Sequence, residues 1–576
     1  MKTNPAFHPA RFQAFVRLLL FAPPILVGLC LRLYGLCGQI LLDDEWHSLN
    51  FVLDKSFLEV LTRHGLGANC IPQNAINWIW LHTVGWSEAV LVFPSVLCGA
   101  AGLVLFPWLV SRLAGRTVAF FFSWLLAVSP AAIFYARIVR PYSMVLFFGF
   151  LAFLCLALWT REGRPRLLFA YALSGFLSIY FHLYAALPVL APLGALFILA
   201  ALRRKVRNAE APWISMKNAI WPGLLMAALL ALFLGPAHLR NPWWMCLINN
   251  GNDAGFGLWK FLSLLSGTHL LVGELAFAAL VGYGLCAWLR IEFRIGLLFL
   301  SVWGAFCIFR IFAPPEGMHA AIQIARYNIV LFPVSMLLGS FALEHLLARY
   351  LPAVPDRWRM LLGLLPIGGL LVGSPLRQTY ASPNNFTHHS AFQDSYAPFD
   401  WSRSRLYALS PLPQMEAARI PAFYSGWATN SSVHGIVEYP MYIGDPLNFH
   451  YFYQHFHRKP VAIGYVPDFP FPPLPSRNDC VYRITPVDYV FNRVQSLGLA
   501  GSMRFANLVP ITDTRRLRQT HRGWLLVVHR DLLAETMGVR DNAANFRPSA
   551  MLDLFLCAGL GAPTFSDAQI AAWRIP

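Results

Sequence analysis

Three consecutive acids, Asp43, Asp44 and Glu45, stand in the run LLDDEWHSL directly after an apolar stretch, with Trp46 and His47 beside them. Clustered carboxylates at an apolar boundary repel one another and lose part of their hydration. That raises their proton affinity and suits a general base or a cation site. The same run also reads as a solvated acidic turn, since Asp is a good N-cap. A second cluster, FYARIVRPYSM, sets Arg137, Arg140 and Tyr142 within six residues. Two guanidiniums beside lipid are costly unless they meet anions, and phosphate is an anion that such a pair binds well. Snorkelling of both to the headgroups is the competing reading. His182 with Tyr184 in YFHLYAA, and Arg326 with Tyr327 in QIARYNIVLFP, also fit an anionic ligand. For a lone imidazole such as His182, a structural hydrogen bond is the commoner fate. Arg32 and Arg310 lie just inside apolar runs and require partners, with Glu274 or the acidic cluster as candidates.

The elements that must position these groups follow from composition. The chain has 576 residues, 57% of them hydrophobic and 13% charged, at a mean hydropathy of +0.51. Soluble proteins carry about 25% charged residues, so this is a membrane protein. Nucleic acid is not an expected partner, despite a net charge of +17. Ten cysteines, mostly inside apolar runs and without CxxC or Cys/His ligand spacing, argue against thiolate-bound metal.

A span needs roughly 20 apolar residues. Apolar runs near 18–36, 89–110, 117–135, 142–160, 167–181, 184–202, 218–236, 270–289, 295–312, 327–347 and 358–374 predict eleven transmembrane helices. With the N-terminus in the cytoplasm, the inner segments hold eighteen Lys and Arg. The outer loops hold seven, with Arg310 at a border, so the excess of cations inside favours this orientation. All the residues singled out above then fall on the outer side. The outer loop at about 37–88 continues as FVLDKSFLEVLTRHG, an amphipathic pattern that predicts a helix lying flat on the outer leaflet or packed on the bundle.

Residues 376–576 change character and contain no run able to cross a bilayer. VHGIVEYP, VAIGYVP, VDYVF and WLLVVH read as strands, and PVDYVFNRVQSLGL and MLDLFLCAGL as helices, which predicts a soluble mixed α/β domain. The expected fold is therefore an α-helical polytopic membrane domain over 1–375 followed by an extracytoplasmic α/β domain over 376–576.

Taken together, the acids after the first span, the flat helix, Ala-Arg-x-x-Arg-Pro-Tyr between spans three and four, His-x-Tyr between spans five and six and Arg-Tyr opening a late span resemble the glycosyltransferase C superfamily. The resemblance covers about residues 17–350. The nearest branch is that of dolichyl-phosphate-mannose protein mannosyltransferases and the bacterial lipid A aminoarabinose transferase. It implies transfer of a sugar from a polyprenyl-phosphate donor to a hydroxyl of an acceptor glycan, lipid or protein, on the periplasmic face of a bacterial inner membrane. The family's catalytic carboxylate falls on Asp44 with Glu45 as companion, and Asp43 leaves the register open by one residue. Arg137, Arg140, Tyr142, His182, Tyr184, Arg326 and Tyr327 fall where the lipid phosphate would be held. Some relatives hold a divalent metal near the acidic loop, for which oxygens of Asp43, Asp44 or Glu45 would suit Mg or Mn; nothing in the sequence demands one. A lipid-linked sugar transporter or flippase would also need outer cations, but it predicts polar or broken helices at the midplane and an inverted repeat, and neither is evident. A non-catalytic membrane scaffold would leave the acids and the arginine pairs without a shared purpose.

Overall fold

The computed structural model describes residues 9–34, 55–64, 70–84, 88–203, 215–240, 258–312, 325–374, 419–439, 461–463, 484–486, 513–530 and 548–576, with the single positions 36, 52, 376, 457, 459 and 511. The chain divides into two compact units.

The first unit is helical: α1 Pro9–Leu33, α2 Phe57–Thr62, α3 Ile71–Thr83, α4 Glu88–Ala114, α5 Arg116–Ala127, α6 Pro130–Tyr135, α7 Tyr142–Glu162, α8 Pro165–Phe181, α9 Ala186–Arg203, α10 Met216–Arg240, α11 Leu258–Ser266, α12 Leu271–Ile291, α13 Phe293–Phe312, α14 Leu331–Tyr350 and α15 Asp356–Val372. Every one of the eleven apolar runs is helical in the structure. Six of the described helices are long and apolar enough to cross a membrane, and α5, α8 and parts of α1 and α13 are shorter apolar helices. Proline inside α1, α4, α9, α10 and α15 is tolerable there because neighbouring groups in a bundle re-satisfy the freed backbone.

The run at 117–135 is not one helix. Ser129 caps a new start, its hydroxyl accepting from the amide of Ala132 at 3.3 Å, and Pro130 follows at the first helical position. Proline has no N–H to give the carbonyl of Leu126, so the helix ends and restarts. The flat helix is also shorter than its amphipathic pattern. Among the described residues of the pattern Val52 is also helical, Lys55 and Ser56 are not, and α2 is opened by a capping box in which Ser56 and Glu59 bond reciprocally. The segment between α1 and α4 holds a further helix, α3, that the pattern did not announce.

Packing in the bundle is close. α7 lies against α4, α8 and α9; α12 lies against α13 and α14; α14 and α15 pack on α5. At Gly284 a side chain would run into the backbone of Leu338, so glycine allows α12 and α14 to approach. Gly163 ends α7 in the left-handed conformation at φ 65°. At that end of the bundle, Arg112 pairs with Glu162 at 2.6 Å. Arg161 donates through Nε to Glu292 at 2.8 Å. These pairs join α4, α7 and the end of α12.

The second unit is a six-stranded sheet with α16 Arg419–Ala428, α17 Thr514–Thr520 and α18 Pro548–Leu560. Its strands are β1 Ile436–Tyr439, β2 Val461–Ile463, β3 Ile484–Pro486, β4 Leu525–His529, β5 Phe565–Ser566 and β6 Ile570–Arg574. The order is β3-β2-β1-β4-β6-β5. The first four strands are mutually parallel, and β6 is antiparallel to β4 and β5. Leu525 and Val527 pack with Tyr424 on one face, while Leu526 and Val528 pack with Leu517 and Leu556 on the other. Burial on both faces explains why these strands read as apolar runs without alternation. VHGIVEYP, VAIGYVP and WLLVVH contain β1, β2 and β4, and MLDLFLCAGL lies in α18. VDYVF and PVDYVFNRVQSLGL lie outside the described residues.

Candidate phosphate-binding cluster at the ends of the helices

Two arginines organise this end of the bundle before any ligand is considered. Arg32, 1% exposed, donates to the carbonyls of Leu126 at 3.2 Å and Ala127 at 3.3 Å, and to Gly28 at 2.9 Å. It therefore supplies the donor that Pro130 withholds from Leu126. Open carbonyls at a helix C-terminus carry partial negative charge and satisfy a guanidinium; the acidic cluster expected as a partner of Arg32 lies outside the described residues. Arg137, equally buried, does the same for α1. Its Nη1 donates to the carbonyls of Leu31, Arg32 and Tyr34 at 3.3, 3.1 and 2.6 Å. Gly99 on α4 makes room, since a Cβ there would sit 3.3 Å from Arg32 Nε. The Arg310 side chain lies outside the described residues.

Tyr142, fully buried, opens α7 behind Pro141. The turn before it is tied to α4, because Ser143 donates to the carbonyl of Ser95 at 2.8 Å and the Ser95 hydroxyl to that of Arg140 at 3.5 Å. The Arg140 guanidinium carbon lies 5.8 Å from the centre of the Tyr142 ring. Arg326, from the turn before α14, lies 5.7 Å from the same ring and 5.0 Å from that of Tyr327, whose hydroxyl accepts from its Nη2 at 3.2 Å.

His182 ends α8 in an extended conformation, its amide bonded to Ser178, and a single 3-10 turn over Leu183–Ala185 leads into α9. That short break turns its ring towards Tyr142 and Tyr327, with centroids 5.8 and 5.1 Å away. Tyr184 completes the group at 5.5 Å from His182 and 4.8 Å from Tyr327.

Six of the residues selected from sequence thus meet: Arg140, Tyr142, His182, Tyr184, Arg326 and Tyr327, contributed by three separate turns. Arg140, Tyr142 and His182 form the buried side, and Tyr184, Arg326 and Tyr327 are half-buried. Arg137 faces the end of α1 with Nη1. Asp43, Asp44 and Glu45 lie outside the described residues. Among the described residues no group of three His, Cys, Asp or Glu side chains could hold a metal ion.

Sequence reading missed Tyr135, whose buried ring lies 5.3 Å from Tyr142. Its place two residues before Arg137 was the available signal. It also missed the anchoring role of Ser95, which a serine inside an apolar helix does not advertise.

Chemically, two guanidiniums held by a single aromatic ring form a preorganised positive site. Cation–π contact offsets part of their cost, and an anion with several acceptor oxygens suits two guanidiniums at one ring. Arginine forks match phosphate geometry, and the Tyr and His edges add donors and flat apolar surface.

Comparison with solved structures identifies the architecture. The chain matches ArnT of Cupriavidus metallidurans in its apo state, with a TM-score of 0.52 at 14% identity over 98% of each chain. It matches the same protein bound to undecaprenyl phosphate with a TM-score of 0.52 at 12% identity, over 97% of this chain and 98% of that one. The chain has the glycosyltransferase C fold. The archaeal oligosaccharyltransferase AglB of Archaeoglobus fulgidus also matches, with a TM-score of 0.47 at 11% identity over 92% of this chain and 71% of that chain. No protein-family model matches the chain, and no curated protein does. The α6–α7 and α8–α9 turns and the turn into α14 all open on the same end of the bundle.

Proposed function

We propose that this protein is a membrane glycosyltransferase that moves a sugar from a polyprenyl-phosphate donor to a hydroxyl acceptor on the periplasmic face of a bacterial inner membrane. The observation that carries this reading is the convergence of Arg140 and Arg326 on Tyr142, with His182, Tyr184 and Tyr327 around them. Its donor class draws support from the ArnT structure containing undecaprenyl phosphate.

In this reading Asp44, with Glu45 or Asp43 beside it, removes the proton from the acceptor hydroxyl as that oxygen attacks the anomeric carbon. The bond to the phosphate oxygen breaks on the opposite side, so the configuration inverts. A positioned base contributes about 10²–10⁴-fold. The departing lipid phosphate takes the electron pair and needs positive charge more than a proton. Arg140 and Arg326 supply that charge from fixed positions, an effect of about 10²–10³-fold for one lost donor. Arg137 holds the end of α1, from which the acid-bearing segment departs. No step is assigned to a metal ion.

The test supplies undecaprenyl-phosphate sugars and candidate acceptors to purified protein and follows release of the lipid phosphate. Wild type is expected to turn over, and folded Asp44→Asn and Arg326→Ala variants to lose at least a hundredfold. Undiminished turnover in both variants refutes the assignment.

A further inference from the structure

A second cationic group lies away from the phosphate cluster, where α2 packs against the end of α10. Arg240, in the last turn of α10, donates through Nη1 to the Thr62 hydroxyl at 2.8 Å. Arg63 and His64 follow Thr62 directly, and His238 precedes Arg240 by two residues. The juxtaposition therefore gathers two guanidiniums and two imidazoles. Glu59 is the acid among them, 3.7 Å from Arg63. His64 is only 8% exposed, and its Nδ1 has no hydrogen-bond partner among the described residues. Its burial, and then the like charge of His238, lower its proton affinity below the ordinary imidazole range.

Cations near a helix C-terminus are favourable in themselves, but that does not explain this group, because Arg240 reaches across to another helix. Nor does it explain the apolar side chains next to it. Leu58 is 66% exposed and Leu239 87% exposed; Leu58 stands one turn before Thr62, to which Arg240 is bonded, and Leu239 directly before Arg240. On the other side of α2, Val60 packs with Val52 and Ala75. An outward apolar residue beside outward cations is the pattern of a helix at the boundary between headgroups and acyl chains.

We propose that the junction of α2 with α10 binds the phosphate headgroup of an anionic phospholipid. Arg240, Arg63 and His64 meet the phosphodiester, and Leu58 and Leu239 lie along the upper acyl chain. The occupant is a lipid and not a soluble anion because both leucines project beside the cations. Its binding ties the position of α2, and with it the loop that leaves α1, to the lipid composition of the outer leaflet.

The test exposes full-length protein in detergent to phosphatidylglycerol or phosphatidylcholine, followed by native mass spectrometry at an activation that strips loosely held lipid. Wild type is expected to retain phosphatidylglycerol over phosphatidylcholine. Arg240→Gln should lower that retention about five-fold, and Arg240→Lys much less, as expected for one cation near a membrane surface. Phosphatidylglycerol should slow hydrogen exchange across Phe57–Thr62 in wild type and not in His64→Gln/Arg240→Gln. Equal retention of the two lipids by wild type, which needs no variant, overturns the proposal. So does undiminished retention in a folded Arg240→Gln protein. Displacement of the lipid by millimolar inorganic phosphate also overturns it, and would assign the group to a soluble anion.

Discussion

At the residue scale, the legible part of the site was the set of polar pairs that interrupt apolar runs. Arg140 with Tyr142, His182 with Tyr184, and Arg326 with Tyr327 stand out because a membrane chain retains few ionisable groups without use. What the sequence could not separate was Arg137 from Arg140. They differ by three positions, yet one meets the end carbonyls of α1 and the other the Tyr142 ring. The distinction has a measurable outcome. Arg326→Lys should keep charge but lose the planar fork, leaving turnover between wild type and Arg326→Ala. Arg137→Ala should lower thermal stability together with turnover, because it leaves buried carbonyls unmet.

His457, in the second unit, makes a pH prediction. It is fully buried, and burial first and the Lys459 charge second push its imidazole down to about 3. The unfolded chain therefore binds a proton that the folded one refuses between about 6.5 and 3. Its contribution to stability is full above about 6.5 and is lost as the pH falls through that window. Hydrogen exchange in β1 and β4 of the whole protein, corrected for intrinsic rates, should speed up from pH 7 to pH 4. His457→Gln should flatten that trend.

At the element scale, each of the eleven apolar runs coincides with helix, though only six of the described helices are long and apolar enough to cross a membrane. Hydropathy could not place the interruption at Ser129 and Pro130, since both residues sit within an apolar average. Only the cap-and-proline signature marks it. The short α2 was overextended for the opposite reason: its pattern is amphipathic beyond the point where the helix ends at Arg63. The Ser56 and Glu59 cap makes this element sensitive to acid. Hydrogen bonds from Ser56 hold the Glu59 carboxyl below its ordinary value of 4.5. The cap should thus be intact above that value and lost as the pH falls below it. Ser56→Ala should raise exchange across Phe57–Thr62 by about five-fold at neutral pH, in line with a lost cap. Between α12 and α14, Gly284→Val forces the helices apart. It is expected to cost about 1–3 kcal/mol, read as a lower melting temperature in detergent.

At the scale of the whole molecule, the uneven distribution of cations favours a cytoplasmic N-terminus, and several of those cations form ion pairs among the described residues. Arg112 with Glu162 and Arg161 with Glu292 lie at the end of the bundle opposite the Arg140–Tyr142–Arg326 cluster. If the proposed orientation holds, single cysteines introduced at Gly115 and Gly163 should react with a membrane-impermeant maleimide only in inverted vesicles. A cysteine at Val84, 54% exposed after α3, should react in intact spheroplasts. The parallel sheet of the second unit was partly legible, since its buried strands are short apolar runs. β6 was not, because Ile570–Arg574 has no turn signature and finds its place only by pairing with β4.

The dependence of Arg32 on Pro130 reaches beyond the fold itself. One residue discards a backbone bond inside the apolar slab and the other, almost a hundred positions away, restores it. The proline alone would leave the carbonyl of buried Leu126 without its helical donor, and Arg32 meets it at 3.2 Å. The two act together, so Pro130→Ala, which restores the helical donor to Leu126, should soften the loss of melting temperature caused by Arg32→Gln.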